Sequence, residues 1–163
     1  PFLLSPSLYH AGLLAYAFLP TIGTSFVTTG AIDWSVLLIA LPVGLITDGI
    51  LHSNNTRDTL TDRRAGIKTM AMGLGHKASA ILYGFEVIFP YVWIGVLSII
   101  GLMPITTIMI FLTLAVAIGC AKTMMHSLEG GSGVIADLDV RTANLQLMFS
   151  ALLTVAFIVA KFI

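Results

Sequence analysis

Long apolar runs separated by short polar ones divide the chain into five segments, at about residues 8–28, 34–54, 78–100, 104–125 and 141–163. Each comes close to the roughly 20 residues that a helix needs to cross a hydrocarbon core. Apolar side chains go all round these segments rather than along one stripe, which favours helices embedded in lipid over surface helices of a soluble fold. A membrane barrel would need short alternating segments, and the sequence has none. The pattern predicts an all-α fold, an integral membrane helical bundle of five transmembrane helices. Ser7 is placed to cap the first helix and Pro20 to kink it. Asp33 is a plausible N-cap for the second, and Pro104 suits the first turn of the fourth.

Composition agrees with that solvent. Of the 163 residues, 57% are hydrophobic and only 10% are charged, against about a quarter charged in an ordinary soluble domain. So few charges cannot cover a water-facing surface, which makes the lipid bilayer the expected surroundings, and the formal net charge of zero points to no nucleic acid or acidic partner. The single cysteine, Cys120, lies in an apolar run and reads as a small hydrophobe. No basic leader or cleavage site precedes the first apolar run, and the start at Pro1 reads as a trimmed end.

The distribution of charge is more informative than its sum. Arg57, Asp58, Asp62, Arg63, Arg64, Lys68 and Lys77 lie close together, whereas from residue 78 to residue 121 the one charged side chain is Glu86. The connection between the second and third segments holds five basic residues, and the loops at residues 29–33 and 101–103 hold none. Positive charge is retained on the cytoplasmic side, so this connection is expected there. Alternation then puts residues 129–139 on the same side, with Pro1 inside and Ile163 outside.

Residues 48–75 read DGILHSNNTRDTLTDRRAGIKTMAMGLG. If the second helix continues through Asp62, then Asp48, His52, Asn55, Thr59 and Asp62 share one polar stripe, Asp58 lies on its edge and Arg57 faces away. Asp58 and Asp62, four apart, are neighbours on a helix. Two carboxylates side by side repel unless a positive charge lies between them. Arginine can supply it, and so can Mg²⁺, which takes oxygen ligands, keeps several waters and commonly bridges one or two carboxylates to substrate phosphates. Arg63, Arg64 and Lys68 follow with groups suited to phosphate oxygens. The chemical reading is a cation-assisted diphosphate site at the end of a membrane helix. The bland alternative is a solvated helix end held by local ion pairs.

At this motif the sequence resembles a known family. N-N-T-R-D-T-L-T-D-R-R-A-G-I-K-T, residues 54–69, is similar to the second aspartate-rich motif of the UbiA superfamily of intramembrane prenyltransferases. The form N-N-x-R-D-x-x-x-D-x-x-x-G-x-x-T looks most like the 1,4-dihydroxy-2-naphthoate polyprenyltransferase branch, which serves menaquinone (vitamin K2) synthesis. Weaker similarity extends through Leu8-Tyr9-His10 and Phe18-Leu19-Pro20 to Arg141-Thr142-Ala143-Asn144-Leu145. The five helices then correspond to the last five of the family's nine, making residues 1–163 a C-terminal transmembrane portion. The resemblance implies that Asp58 and Asp62 hold Mg²⁺ on an allylic diphosphate, accompanied by Asn55. It makes Lys68, Arg57, Arg63 and Arg64 candidates for diphosphate contact. The implied partners are a polyprenyl diphosphate, an aromatic acceptor and the missing N-terminal half of the same fold; the implied location is a bacterial inner membrane. That half carries the family's first aspartate-rich motif, N-D-x-x-D-x-x-x-D, which nothing here matches. Asp137-Leu138-Asp139 has the wrong spacing and position, and Leu13 stands where related sequences often carry an acid. The chain is therefore expected to be inactive alone.

A different function class remains open from the residues themselves. Asp48 and His52 lie within an apolar span, where ionisable groups mark ion or proton paths; a membrane transporter fragment is the alternative. His126 and Glu129 read as a solvated helix end, Gly73-Leu74-Gly75 as a turn before the third helix, and Glu86 as a contact either for a neighbouring helix or for a substrate cavity.

Overall fold

The computed structural model describes residues 12–163. Among them every regular element is helical. Four helical stretches are long and apolar enough to cross a membrane: Trp34–Arg57, His76–Ile99, Ile105–Gly130 and Ser132–Val159. The start of the expected first span, with Ser7 and Leu8-Tyr9-His10, lies outside the described residues. What is described of that span is a π-helical turn, Leu14–Phe18, running into α1, Leu19–Thr29. Pro20 sits at that junction, where its missing N–H removes one helical bond, so the expected irregularity is a change of helical pitch.

The second span begins where expected. Asp33 accepts a hydrogen bond from the Ser35 amide at 2.8 Å, opening a short 3₁₀ turn, Trp34–Val36, and then α2, Leu37–Arg57. A six-residue helix, α3 (Thr59–Arg64), and a five-residue one, α4 (Met70–Leu74), fill the polar connection. Gly75, at φ 79°, turns the chain into α5, His76–Ile99. The Gly73-Leu74-Gly75 stretch is thus a helix end plus one left-handed glycine rather than a plain turn. Pro104 precedes a 3₁₀ stretch, Ile105–Thr113, that continues as α6, Leu114–Gly130. A last 3₁₀ turn, Ser132–Ile135, leads into α7, Leu138–Val159.

The core lies between α2, α5, α6 and α7, where Ile46, Tyr83, Val87, Tyr91, Ile94, Leu145 and Phe149 are buried together. The Tyr91 and Phe149 rings meet edge to face at 5.4 Å. A bilayer offers no water to buried hydroxyls, so polar groups in the spans find one another. Tyr83 pairs with Thr142 at 2.6 Å, Tyr91 with Thr113 at 2.7 Å and Ser98 with Thr107 at 2.6 Å. The Trp93 indole N–H donates to the Leu38 carbonyl at 3.0 Å, tying α5 to the start of α2. Gly49 lets α2 come close: a Cβ there would stand 3.4 Å from Val87 and 3.6 Å from Thr142, in contact with α5 and α7 together. The outward faces carry apolar side chains such as Val27, Val92, Ile99 and Leu112, as lipid contact requires.

Candidate functional site

The polar end of α2 is built in two layers. In the deeper one, Asp48 and His52 are 3% and 2% exposed. The His52 Nδ1 lies 3.0 Å from a carboxylate oxygen of Glu86 on α5, which is fully buried. Glu86, the charge isolated within its span, therefore contacts a neighbouring helix. Gly12 on the first span lies against Asp48, whose Oδ1 would be 2.7 Å from a Cβ at that position.

The outer layer holds Asn55, Asp58 and Asp62, all half-buried. Here the structure corrects two expectations. The helix does not run unbroken through Asp62: Asp58 adopts φ −90°, ψ 6° and separates α2 from α3. The break is shallow, because the Asp62 amide still donates to the Asp58 carbonyl at 2.8 Å, so the two acids remain one turn apart. Nor does Arg57 face away. Its Nε and Nη2 donate to the two oxygens of Asp58 at 2.9 and 3.0 Å. Nη2 also reaches Asn54 Oδ1 at 2.6 Å, and Nη1 reaches the Ala136 carbonyl and Asp139 Oδ2, both at 3.1 Å. The long Arg57 side chain curls back onto the carboxylate of the next residue and reaches across to Ala136 and to Asp139 in the first turn of α7. These bonds put the Asp-rich connection and residues 129–139 at one end of the bundle, as the alternation of spans requires.

The Arg57 guanidinium holds the Asp58 carboxyl below its ordinary value of 3.8. A partly exposed pair of this kind contributes only about 0–1 kcal/mol to stability, so it is weak enough to be exchanged for another partner. Arg63 and Arg64, in the last turn of α3, and Lys68, beyond Gly66 at φ 72°, are exposed. A cavity of about 400 Å³ opens at this end, lined among others by Thr56, Arg57, Thr59, Arg63 and His76. Neither Asp58 nor Asp62 lines it. His76 hydrogen-bonds Ser127 at 2.8 Å across to α6, while His126 and Glu129 are exposed on the last turns of that helix, as expected of a solvated end.

The donor set bears on a metal. Among the described residues no group of three or more His, Cys, Asp or Glu side chains converges on one point. Two carboxylates one turn apart do not make a closed cage. They do fit Mg²⁺, which fills its remaining positions with water and substrate phosphate. Sequence reasoning missed Asp139, whose partner is 82 positions away in the chain from it by number. It also left Glu86 undecided, although its isolation in an apolar span was the signal that it had a partner.

The pattern of the UbiA prenyltransferase family matches residues 10–133. The Drosophila melanogaster protein named UbiA prenyltransferase domain-containing protein 1 homolog is 51% identical over 63 residues, 39% of this chain and 18% of that protein. Its Xenopus tropicalis counterpart is 44% identical over 72 residues, 44% of this chain and 21% of that protein. The 1,4-dihydroxy-2-naphthoate octaprenyltransferase of Bacillus subtilis is 26% identical over 137 residues, 84% of this chain and 43% of that enzyme. The chain thus spans less than half the length of each of these relatives. No solved structure matches it significantly. Matched over most of its length, with the Asp-rich stretch set at the polar end of a membrane bundle, the chain belongs to the UbiA prenyltransferase family.

Proposed function

We propose that the protein to which this chain belongs transfers a polyprenyl group from a polyprenyl diphosphate to an aromatic acceptor, and that residues 54–69 form one half of its diphosphate site. The observation that carries this reading is the placement of Asp58 and Asp62, one turn apart at the polar end of α2, within a chain of this family. In the reaction the allylic C–O bond breaks and its electron pair leaves with the diphosphate. A ring carbon of the acceptor bonds to the allylic carbon, and the ring then loses a proton. Asp58 and Asp62 would hold Mg²⁺, with Asn55 beside them. The chemistry Mg²⁺ supplies when bound is neutralisation of negative charge on the leaving oxygens. Arg57, Arg63, Arg64 and Lys68 supply cationic donors around the diphosphate. The apolar spans take the isoprenoid tail and exclude water that would quench an allylic cation.

In this proposal residues 1–163 are the C-terminal portion of a nine-helix fold, and the opposing aspartate-rich motif comes from the N-terminal half. The acceptor is 1,4-dihydroxy-2-naphthoate, as in menaquinone synthesis, a choice supported by the name of the Bacillus relative. A bacterial inner membrane draws support from that relative alone, since the two more identical ones are animal proteins. The cytoplasmic side is supported by the basic residues of the connection. No observation favours the transporter reading of Asp48 and His52: both are enclosed in the bundle, and His52 is bonded to Glu86.

The acceptor is tested in membranes containing the full-length protein, supplied with a polyprenyl diphosphate and either 1,4-dihydroxy-2-naphthoate or 4-hydroxybenzoate. Mass spectrometry should find a prenylated naphthoate, formed only when Mg²⁺ is present. Prenylated benzoate without the naphthoate product would show that the acceptor is wrong while leaving prenyl transfer in place.

A further inference from the structure

Arg57 is surrounded by more acceptors than a simple ion pair needs. A guanidinium has five N–H groups. Here they meet the two oxygens of Asp58, Asn54 Oδ1, the Ala136 carbonyl and Asp139 Oδ2. The two carboxylates it joins come from different helices, Asp58 from the end of α2 and Asp139 from the first turn of α7. They are not equally served. Both oxygens of Asp58 accept from Arg57, whereas Asp139 Oδ1 is buried and has no hydrogen-bond partner among the described residues. A buried carboxylate oxygen without a donor is unfavourable and calls for an explanation. The guanidinium already bonded to Asp139 Oδ2 could serve Oδ1 as well, but its fork is engaged bidentately by Asp58.

We propose that Arg57 is a shared guanidinium that passes from Asp58 to Asp139 when Asp58 takes up a cation-bound diphosphate, which makes Asp139 a positioning residue for this half-site. The proposal rests on the reading of Asp58 and Asp62 given under Proposed function. With the site empty, Arg57 neutralises Asp58 and keeps the two neighbouring acids from repelling. When Asp58 turns to the cation, a donor swings to Asp139 Oδ1 and fills the vacant acceptor. The Ala136 carbonyl and the bond to Oδ2 keep the guanidinium in place, so its charge stays beside the diphosphate. Without Asp139, Arg57 has Asp58 as its one carboxylate and competes with the cation for it.

The test uses the full-length protein in detergent and reads equilibrium binding of a radiolabelled non-hydrolysable polyprenyl diphosphate analogue as Mg²⁺ is raised. Asp139→Asn is expected to raise the Mg²⁺ concentration at half-binding about tenfold, a coupling of the size found between side chains of one ion-pair network. Asp139→Glu should restore most of the shift. Arg57→Gln removes the competitor, so Arg57→Gln and Arg57→Gln/Asp139→Asn should have the same midpoint. An Asp139→Asn midpoint equal to the wild type overturns the proposal and leaves the diphosphate site standing. An equal loss in the Arg57→Gln background also overturns it, because Asp139 then acts through structure alone. Failure of the wild type to bind the analogue at any Mg²⁺ concentration overturns the diphosphate site and this proposal together.

Discussion

Alanine at either Asp58 or Asp62, in the full-length protein, is expected to lower Mg²⁺-dependent prenyl transfer by about 10²–10³-fold or more. The argument is electrostatic. Two carboxylates one turn apart at the polar end of α2 are the protein's share of a site that must hold a divalent cation against a diphosphate carrying several negative charges. Removing either leaves one carboxylate, and Arg57 already binds Asp58. Asp62→Ala leaves Asp58 alone to hold the cation, and Asp58→Ala leaves Asp62 alone. Both defects weaken charge neutralisation on the departing group, where it lowers the barrier most. The assay is product formation at saturating Mg²⁺ and both substrates, with thermal unfolding to show that the variants fold. Turnover within a fewfold of wild type in either variant would remove the assignment.

A second large effect is expected inside the bundle. Glu86 is fully buried and has His52 as its one hydrogen-bond partner among the described residues. His52→Ala should destabilise the full-length protein by about 3 kcal/mol, the cost of leaving a buried carboxyl group without its partner. Glu86→Gln keeps the shape and a hydrogen bond and should cost about 1 kcal/mol. The double change His52→Leu/Glu86→Leu should recover much of the loss, because apolar residues of matching volume often replace a buried pair at little cost. Reversible unfolding in mixed detergent reads all three. If His52→Ala proves no worse than Glu86→Gln, the pair does not hold α2 to α5. The contrast also separates this pair from the diphosphate site: the double variant should regain stability whatever happens to turnover.

The fold was largely readable because a bilayer imposes simple rules. Second, third and fourth spans were expected at residues 34–54, 78–100 and 104–125, and the helices run over Trp34–Arg57, His76–Ile99 and Ile105–Gly130. Ends shifted where polar residues still complete a turn. His76 begins α5 because Gly75 supplies the positive φ just before it, and α6 extends to Gly130 through His126 and Glu129. The last span starts at its 3₁₀ turn, Ser132, and α7 closes at Val159.

Side-chain direction at the polar end was less readable. Helical periodicity sent Arg57 away from the acids, but it fixes only where a side chain leaves the helix and not where a long, flexible one ends. The guanidinium instead reaches the carboxylate of the very next residue, Asp58. Asp139 was invisible for another reason: its bond to Arg57 depends on how α7 packs beside α2, and no local spacing encodes that approach. Glu86 lies between these cases, since burial in an apolar span demands a partner and the sequence supplies few polar candidates.

The most direct test of the central claim is Mg²⁺-dependent binding of a non-hydrolysable polyprenyl diphosphate analogue to the full-length protein in detergent, wild type against Asp58→Ala/Asp62→Ala. Binding that requires Mg²⁺ and disappears in the double variant is the predicted result and locates the diphosphate at this connection. Binding that ignores both Mg²⁺ and the two aspartates would contradict it and return residues 54–69 to a solvated helix end.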